Sequence, residues 1–323
     1  MEFLKILVEE QKKRDNGLII CGFPGVGKSS VIKTKINDNL LDSDSSTFDK
    51  SKFPDNYIEH IKENISDGKT ILASSHDVVR DALIENKLPF FLVYPDKSLK
   101  KEYLKRYTDR GSPVKFNTLM EENFEKWAKQ CDDIDNKLVT KIKLKSGQYL
   151  SDVMDEICSI YIKDKLNSHK EINQKTMIKY FKNIIPLLRK YDKIGTVKAR
   201  LANEGEKIVT EINGEKETEN VAGENDVLII GAEGEQYLVS VDTFKRRYVT
   251  LSGKEIKNVS EKLTEYKSTG KCYAFKWVNG SFSFIAAWGE KMICNDGDWL
   301  ATTDTDDIEV YRIEKNVFSK TYK

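Results

Sequence analysis

The sequence predicts an α/β protein followed by a smaller β-rich part, and three observations predict it. The first is Gly22-Phe23-Pro24-Gly25-Val26-Gly27-Lys28-Ser29, which fits GxxxxGK[ST]. It lies between an apolar run of strand length, Leu18-Ile19-Ile20-Cys21, and a first helical turn, Ser30-Val31-Ile32-Lys33. The second is the alternation of short apolar runs with amphipathic segments through residues 1–165. That alternation describes a parallel sheet with helices on both faces. The third is a change after Val197 to short β segments punctuated by Gly and Asp.

Taken in order, Phe3, Ile6, Leu7 and Gln11 line one face of an opening helix. The strand Leu18–Cys21, the glycine loop and its helix follow. Leu40-Leu41 leads into Asp42-Ser43-Asp44-Ser45-Ser46, a short strand ending in acids, and residues 57–62 are helical. Residues 70–75 form a buried strand, and Ser75 caps a helix over residues 77–86. Phe90-Phe91-Leu92-Val93-Tyr94 is a buried strand stopped by Pro95. Helices over 97–108 and 119–130 precede a last strand carrying Thr140, Ile142 and Leu144. Right-handed crossovers bring the strand C-termini to one edge, beside the glycine loop. Residues 166–195 read as a helical connector, with Ile178, Phe181, Ile185 and Leu188 at helical spacing and a break near Pro186.

Residues 196–323 contain an internal repeat. Asp226-Val227-Leu228-Ile229 is followed by Tyr237, Phe244 and Tyr248, and Asp298-Trp299-Leu300-Ala301 by Tyr311, Phe318 and Tyr322. The Tyr-to-Phe and Phe-to-Tyr spacings are the same in both. Each copy reads as strand, turn, strand and a helical turn with Phe-x-x-x-Tyr on one face. Hairpins over 197–218 and 271–293 feed the two copies, which pack about a pseudo-twofold axis. The aspartates fix turns and the aromatics form a core, unless Trp277, Trp288 or Trp299 is exposed to serve a ligand.

Composition narrows the function. Lys and Arg number 53 against 52 Asp and Glu, a net charge of +1 that does not describe a dedicated nucleic-acid binder. Five cysteines, Cys21, Cys131, Cys158, Cys272 and Cys294, are scattered without a CxxC, so neither a zinc site nor a disulfide framework is expected. The first residues carry Glu2 and no long apolar stretch. The expectation is a cytoplasmic protein with reduced thiols, no signal peptide and no membrane span.

The loop carries the strongest chemistry. Gly22, Gly25 and Gly27 let the backbone aim N–H groups at one point, so residues 22–30 (through Ser30) are expected to cradle the phosphates of ATP. Lys28 reaches the outer phosphates and the Ser29 hydroxyl ligates Mg2+. Asp42 and Asp44 sit one crossover later. Either could take a proton from an acceptor hydroxyl, and Asp44 or its neighbour could hold Mg2+ through water. His76, after the third strand, contacts substrate or merely adjoins a helix cap. Arg80 holds an acceptor group or is a surface arginine. Arg106 and Arg110 share a helix face before Gly111-Ser112-Pro113, and read as a flap pair that closes over transferring phosphate.

The order of glycine loop, acidic second strand, third and fourth strands and Arg-rich segment resembles the nucleotide- and small-molecule-kinase branch of P-loop proteins. That branch includes adenylate kinase, gluconate kinase and polynucleotide 5′-kinase, and the resemblance covers about residues 15–160. Kinase-like proteins of phages and bacteria are also similar. The resemblance implies a catalytic set of Lys28, Asp42, Asp44, Arg106 and Arg110, with Asp42 or Asp44 as base. It also shows a departure: the third strand ends in Ser74-Ser75-His76 where that branch often has an aspartate. Gly297-Asp298-Trp299-Leu300 with Tyr311 and Phe318-x-x-x-Tyr322 resembles the small module named for PGDYG, which implies no activity. The first copy, Asn225-Asp226-Val227, departs from that module at the Gly and the aromatic.

The function expected is ATP- and Mg2+-dependent phosphoryl transfer to a small molecule, a nucleoside or nucleotide first among them. The alternatives are a kinase of nucleic-acid 5′ ends or modified bases, and an NTPase switch whose C-terminal part senses a ligand or partner. That part would otherwise join subunits into a homo-oligomer.

Overall fold

A computed structural model describes residues 17–34, 36–212, 215–231, 234 and 236–323. The opening helix expected around Phe3–Gln11 lies outside the described residues. The chain forms two compact units. The first holds the described residues up to Arg189 together with Phe275–Leu300 and Thr305–Arg312. The second holds Lys190–Ala274, Ala301–Asp304 and Ile313–Lys323. Residues 275–300 thus belong with the α/β part, where the sequence reading had one domain over 196–323.

The first unit is built on five parallel strands: β1 Leu18–Gly22, β2 Leu40–Ser43, β3 Thr70–Ser74, β4 Phe90–Pro95 and β5 Val139–Leu144. Their order is β2-β3-β1-β4-β5, so the expected parallel α/β sheet is present. All of β1 and β4, and β3 up to its last residue, are buried, because helices cover both faces. The helices are α1 Lys28–Lys33, α2 Asp55–Ser66, α3 Asp77–Glu85, α4 Lys100–Asp109, α5 Val114–Asp132, α6 Met154–Leu166 and α7 Gln174–Ile184. In α2 the buried residues Tyr57, Ile58, Ile61 and Ile65 recur at helical spacing, and that stripe faces the sheet. In α7 they are Met177, Tyr180, Phe181 and Ile184, and the helix ends before Pro186 as its missing N–H requires. Gly22 pairs in register with Ser74 on one side and Val93 on the other. The C-terminal ends of the central strands therefore lie level, beneath the glycine loop.

Two local expectations are corrected. The N-cap of α3 is His76, not Ser75, and it makes no side-chain cap bond. Asp44 is not part of β2: it caps a 3-10 turn over Ser45–Thr47, its Oδ1 accepting from the Ser46 N–H at 2.9 Å.

The repeat is present in three dimensions. After β6 Arg189–Asp192, one copy runs β7 Thr196–Leu201, β8 Lys207–Ile212, β9 Glu215–Val221, β10 Asp226–Ile230, β11 Gln236–Ser240, α8 Val241–Arg247 and β12 Tyr248–Thr250. After β13 Thr264–Ser268, the other runs β14 Lys271–Lys276, β15 Phe282–Ile285, β16 Lys291–Cys294, β17 Trp299–Thr302, β18 Tyr311–Ile313 and α9 Lys315–Thr321. The hairpins of the copies are β8–β9 and β15–β16, each preceded by a separate strand. Phe244 and Tyr248 stack with centroids 4.7 Å apart at 23°, and Phe318 and Tyr322 at 5.1 Å and 19°. Asp226 and Asp298 each accept the N–H of the residue three earlier, Gly223 and Asn295, at 2.9 Å. These aspartates fix turns.

The sheets exchange strands. One has order β11-β10-β7-β13-β12 and the other β18-β17-β14-β6. β6, which leads into the first copy, therefore lies in the sheet of the second, and β13, which leads into the second, lies in the sheet of the first. Tyr248 pairs with Ser268, and Tyr322 bridges to Lys193 in the matching position.

Trp277 is core, only 1% exposed, with its indole N–H on the Gly280 carbonyl, so it offers no ligand surface. All five cysteines are free and buried, and burial pushes the Cys21 thiol up to about 12. No helix among the described residues is long and apolar enough to cross a membrane.

Candidate functional site

The loop from Gly22 to Ser29 is held from outside by its carbonyl groups. The Tyr107 hydroxyl donates to the Pro24 carbonyl at 2.8 Å, and the Leu150 N–H to that of Val26 at 2.7 Å. A longer bond, 3.5 Å, runs from the Arg106 guanidinium to the carbonyl of Gly25. With these oxygens turned outward, the N–H groups of Gly25, Gly27, Lys28 and Ser29 have no acceptor among the described residues. Successive free N–H groups of this kind form a concave seat for an oxyanion. Two glycines supply the backbone, Gly25 at φ +83 and Gly27 at φ +101. Gly22 is glycine for space instead: a Cβ there would lie 2.9 Å from the Val26 side chain. Phe23 and Val26 are core side chains, Phe23 packing edge-on against Phe124, so of the loop they lend only backbone to a ligand.

The seat opens into a cavity of about 970 Å³. Its walls include Ser29, Ser30, Asp42, Asp44, His76 and Arg110. Lys28 is half-buried, its ammonium resting on the Gly22 carbonyl at 2.7 Å. Desolvation lowers its pKa, while the nearby Asp42, Cys21 and Asp44 oppose that shift. The two acids differ. The Asp42 carboxylate makes no hydrogen bond with a described residue, and desolvation raises its pKa against the pull of Lys28. Asp44 is lowered, chiefly by the Ser46 N–H it caps. The ends of β2 and β3 are stitched by one side chain. The Tyr57 hydroxyl donates to the Ser43 carbonyl at 2.6 Å and accepts the Ser74 N–H at 3.1 Å.

The two flap arginines part company. Arg106 is only 9% exposed at its side chain, paired with Glu102 and bonded to the Gln148 carbonyl at 2.9 Å. Its guanidinium lies over the rings of Tyr149 at 3.9 Å and Tyr103 at 4.5 Å. All of this makes it a brace of the loop. Arg110 is exposed, bonded through Nε to Ser112 at 2.6 Å, with no bond from its terminal nitrogens to a described residue. Tyr103 and Tyr107 of α4 are fully buried, which anchors the helix expected to be a flap.

A second cavity of about 240 Å³ shares Pro24, Lys28, Ser74 and His76 with the first. It is lined further by Arg80, Trp127 and Gln130. Arg80 is not a surface residue: it is 5% exposed, donating to the Ser75 carbonyl at 2.5 Å and to Cys131 Sγ at 3.3 Å. His76 borders both cavities, and desolvation lowers its pKa.

No family model matches this chain, and no curated protein or solved structure is significantly similar to it.

The arrangement offers an oxyanion seat, a lysine beside it, an ionisable carboxylate near the lysine and an exposed arginine in the cavity wall. No group of three or more metal-ligating side chains occurs among the described residues. A hard cation held largely by water and ligand oxygens needs fewer, and Ser29 with an unpartnered Asp42 is a donor set of the right chemistry. The sequence reading missed Tyr149, whose ring faces both Gly27 and Arg106. Its signal was position: it follows β5 at the edge where ligands gather in parallel sheets. It also missed Lys50, a wall residue whose ammonium bonds the Ser45 carbonyl.

Proposed function

We propose that the chain is an ATP-dependent phosphotransferase whose acceptor binds beside the glycine loop. The observation that carries this is the meeting of four unpaired loop N–H groups, Lys28 and an unpartnered Asp42 in one cavity. The strand order β2-β3-β1-β4-β5 supports it, since the loop then sits where crossovers diverge, the place where ligands bind in open parallel sheets.

In this reading the loop N–H groups bind the β- and γ-phosphates, and Lys28 leaves the Gly22 carbonyl to follow the γ-phosphoryl group. Asp42 takes the proton of an acceptor hydroxyl. The acceptor oxygen bonds to the γ-phosphorus, and the bond to the β-phosphate oxygen breaks to release ADP. Arg110 stabilises charge on the moving group. Ser29, together with phosphate oxygens and water, would hold Mg2+, which supplies neutralisation of phosphate charge when bound. Asp44 shapes the turn that aims Asp42.

The test is transfer of labelled γ-phosphate from ATP with Mg2+ to nucleosides, nucleotides, sugars and DNA or RNA 5′ ends, with Lys28→Ala as control. Label appearing on one acceptor class and absent in the control supports the reading. Free phosphate alone, or ATP bound without turnover across the panel, would sink it.

A further inference from the structure

Arg80 is a buried cation without a counter-charge. Its Nη1 bonds a carbonyl and a sulfur, its Nε is buried with no partner, and no carboxylate pairs with it among the described residues. The one acid in the same cavity wall, Asp77, spends its Oδ1 on the Val78 N–H at 2.9 Å. A desolvated guanidinium is costly unless an anion and further acceptors complete it. The cavity it borders is lined also by Lys28 and by a half-buried indole, Trp127.

We propose that this cavity holds the acceptor through a compact oxyanion group of its own, a phosphomonoester or a carboxylate bound at Arg80. The inference rests on the phosphotransferase reading and narrows its acceptor to an anionic small molecule. A planar oxyanion suits the guanidinium, and it supplies an acceptor to Nη2, which bonds no described residue and, unlike Nε, is not sealed from solvent. The cavity volume of about 240 Å³ suits a small ligand portion and not a folded partner. Because the cavity meets the larger one along Lys28, Ser74 and His76, an acceptor anchored at Arg80 presents its other end to the loop.

The experiment titrates the full chain, with the loop pre-filled by excess ADP and Mg2+, with three matched probes at constant ionic strength. Glucose, glucose 6-phosphate and gluconate supply the neutral, phosphate and carboxylate arms, and adenosine against AMP repeats the first two. The readout is the Trp127 component of fluorescence, defined by its loss in Trp127→Phe. One charged arm is expected to bind about 10- to 100-fold tighter than its neutral match. The arm that does so names the oxyanion. Arg80→Gln should bring that ratio close to one, and Arg80→Lys should restore part of it. Equal binding of charged and neutral probes, no saturation with any of them, or a ratio untouched by Arg80→Gln overturns the inference. Should Arg80→Gln fail to fold, the wild-type Nε–H resonance of Arg80, assigned from Arg80→Lys, answers instead. It should shift on adding orthophosphate, and an unmoved resonance overturns the inference. ATP binding measured in parallel separates the two readings. ATP bound without oxyanion discrimination refutes this site alone, and absence of ATP binding refutes the phosphotransferase.

Discussion

Tyr107 lies so close to Gly25 that a Cβ on the glycine would stand 2.7 Å from its ring carbon Cε1, while its hydroxyl bonds the carbonyl of Pro24 at 2.8 Å. The ring excludes any side chain from the loop, and the hydroxyl turns the loop's oxygen away from the ligand. Gly25→Ala should therefore abolish ATP binding, since φ +83 and the ring both oppose it. Tyr107→Phe keeps the ring and orphans a carbonyl. A stability loss of about 1–2 kcal/mol is expected from urea unfolding, with weaker ATP binding by calorimetry.

Arg106 and Arg110 should separate in kinetics. Arg106→Ala removes a stacked, paired guanidinium and should lower stability by about 2 kcal/mol, with Arg106→Lys restoring little. Arg110→Ala should leave the unfolding midpoint within about 0.5 kcal/mol of wild type but lower kcat about 100-fold. Equal kcat losses with equal stability would contradict the division.

The acids make a second pair. Asp42→Asn should lower transfer by about 100-fold or more, and Asp44→Asn should cost mainly stability, under about 1 kcal/mol. The rate should rise with pH through the Asp42 ionisation, above the usual carboxylate range, because Asp42 must be charged to accept a proton. Stability runs the other way for Asp42. Its folded pKa is raised, so the native state holds the proton longer, and stability falls as pH climbs past the unfolded value. Asp42→Asn should accordingly raise Tm at neutral pH, by about 1–2 °C. Asp44 is lowered in the fold, so its contribution is full above the unfolded pKa and is lost as acid takes the pH through the folded value.

Phe244 and Phe318 offer a test of the repeat. Both are buried and stacked on the tyrosine four residues on, so Phe244→Ala and Phe318→Ala should each cost about 3–5 kcal/mol. Asp298→Ala should cost more than Asp226→Ala, because Asp298 also holds Arg312 at 2.9 Å with its own side chain 3% exposed. Chemical denaturation of the four variants checks the two costs and the one ordering.

The sheet was legible because its central strands β1, β3 and β4 are buried on both faces and read as unbroken apolar runs, and the repeat because stacked aromatics keep their spacing. The loop was legible because its backbone demands glycine at Gly25 and Gly27. The roles of Arg80 and Arg106 were not legible. A charged residue on a helix reads as solvated unless its partners are seen, and theirs include the Cys131 sulfur and the Tyr149 ring, each from a distant segment. Nor could the assignment of residues 275–300 be read, since strand pairing across copies leaves no mark in local pattern.

The exchanged strands have a consequence for the order in which the chain can assemble. The N–H and carbonyl of Asp192 bond the backbone of Lys323 at 2.9 and 3.0 Å, and Ile194 donates to Thr321 at 2.7 Å. During synthesis from the N-terminus this seam waits for residues 321–323, long after its first strand has left the ribosome. The seam therefore closes late, and until then β6, whose sheet partner is β14, keeps an open outer edge that a second chain could occupy.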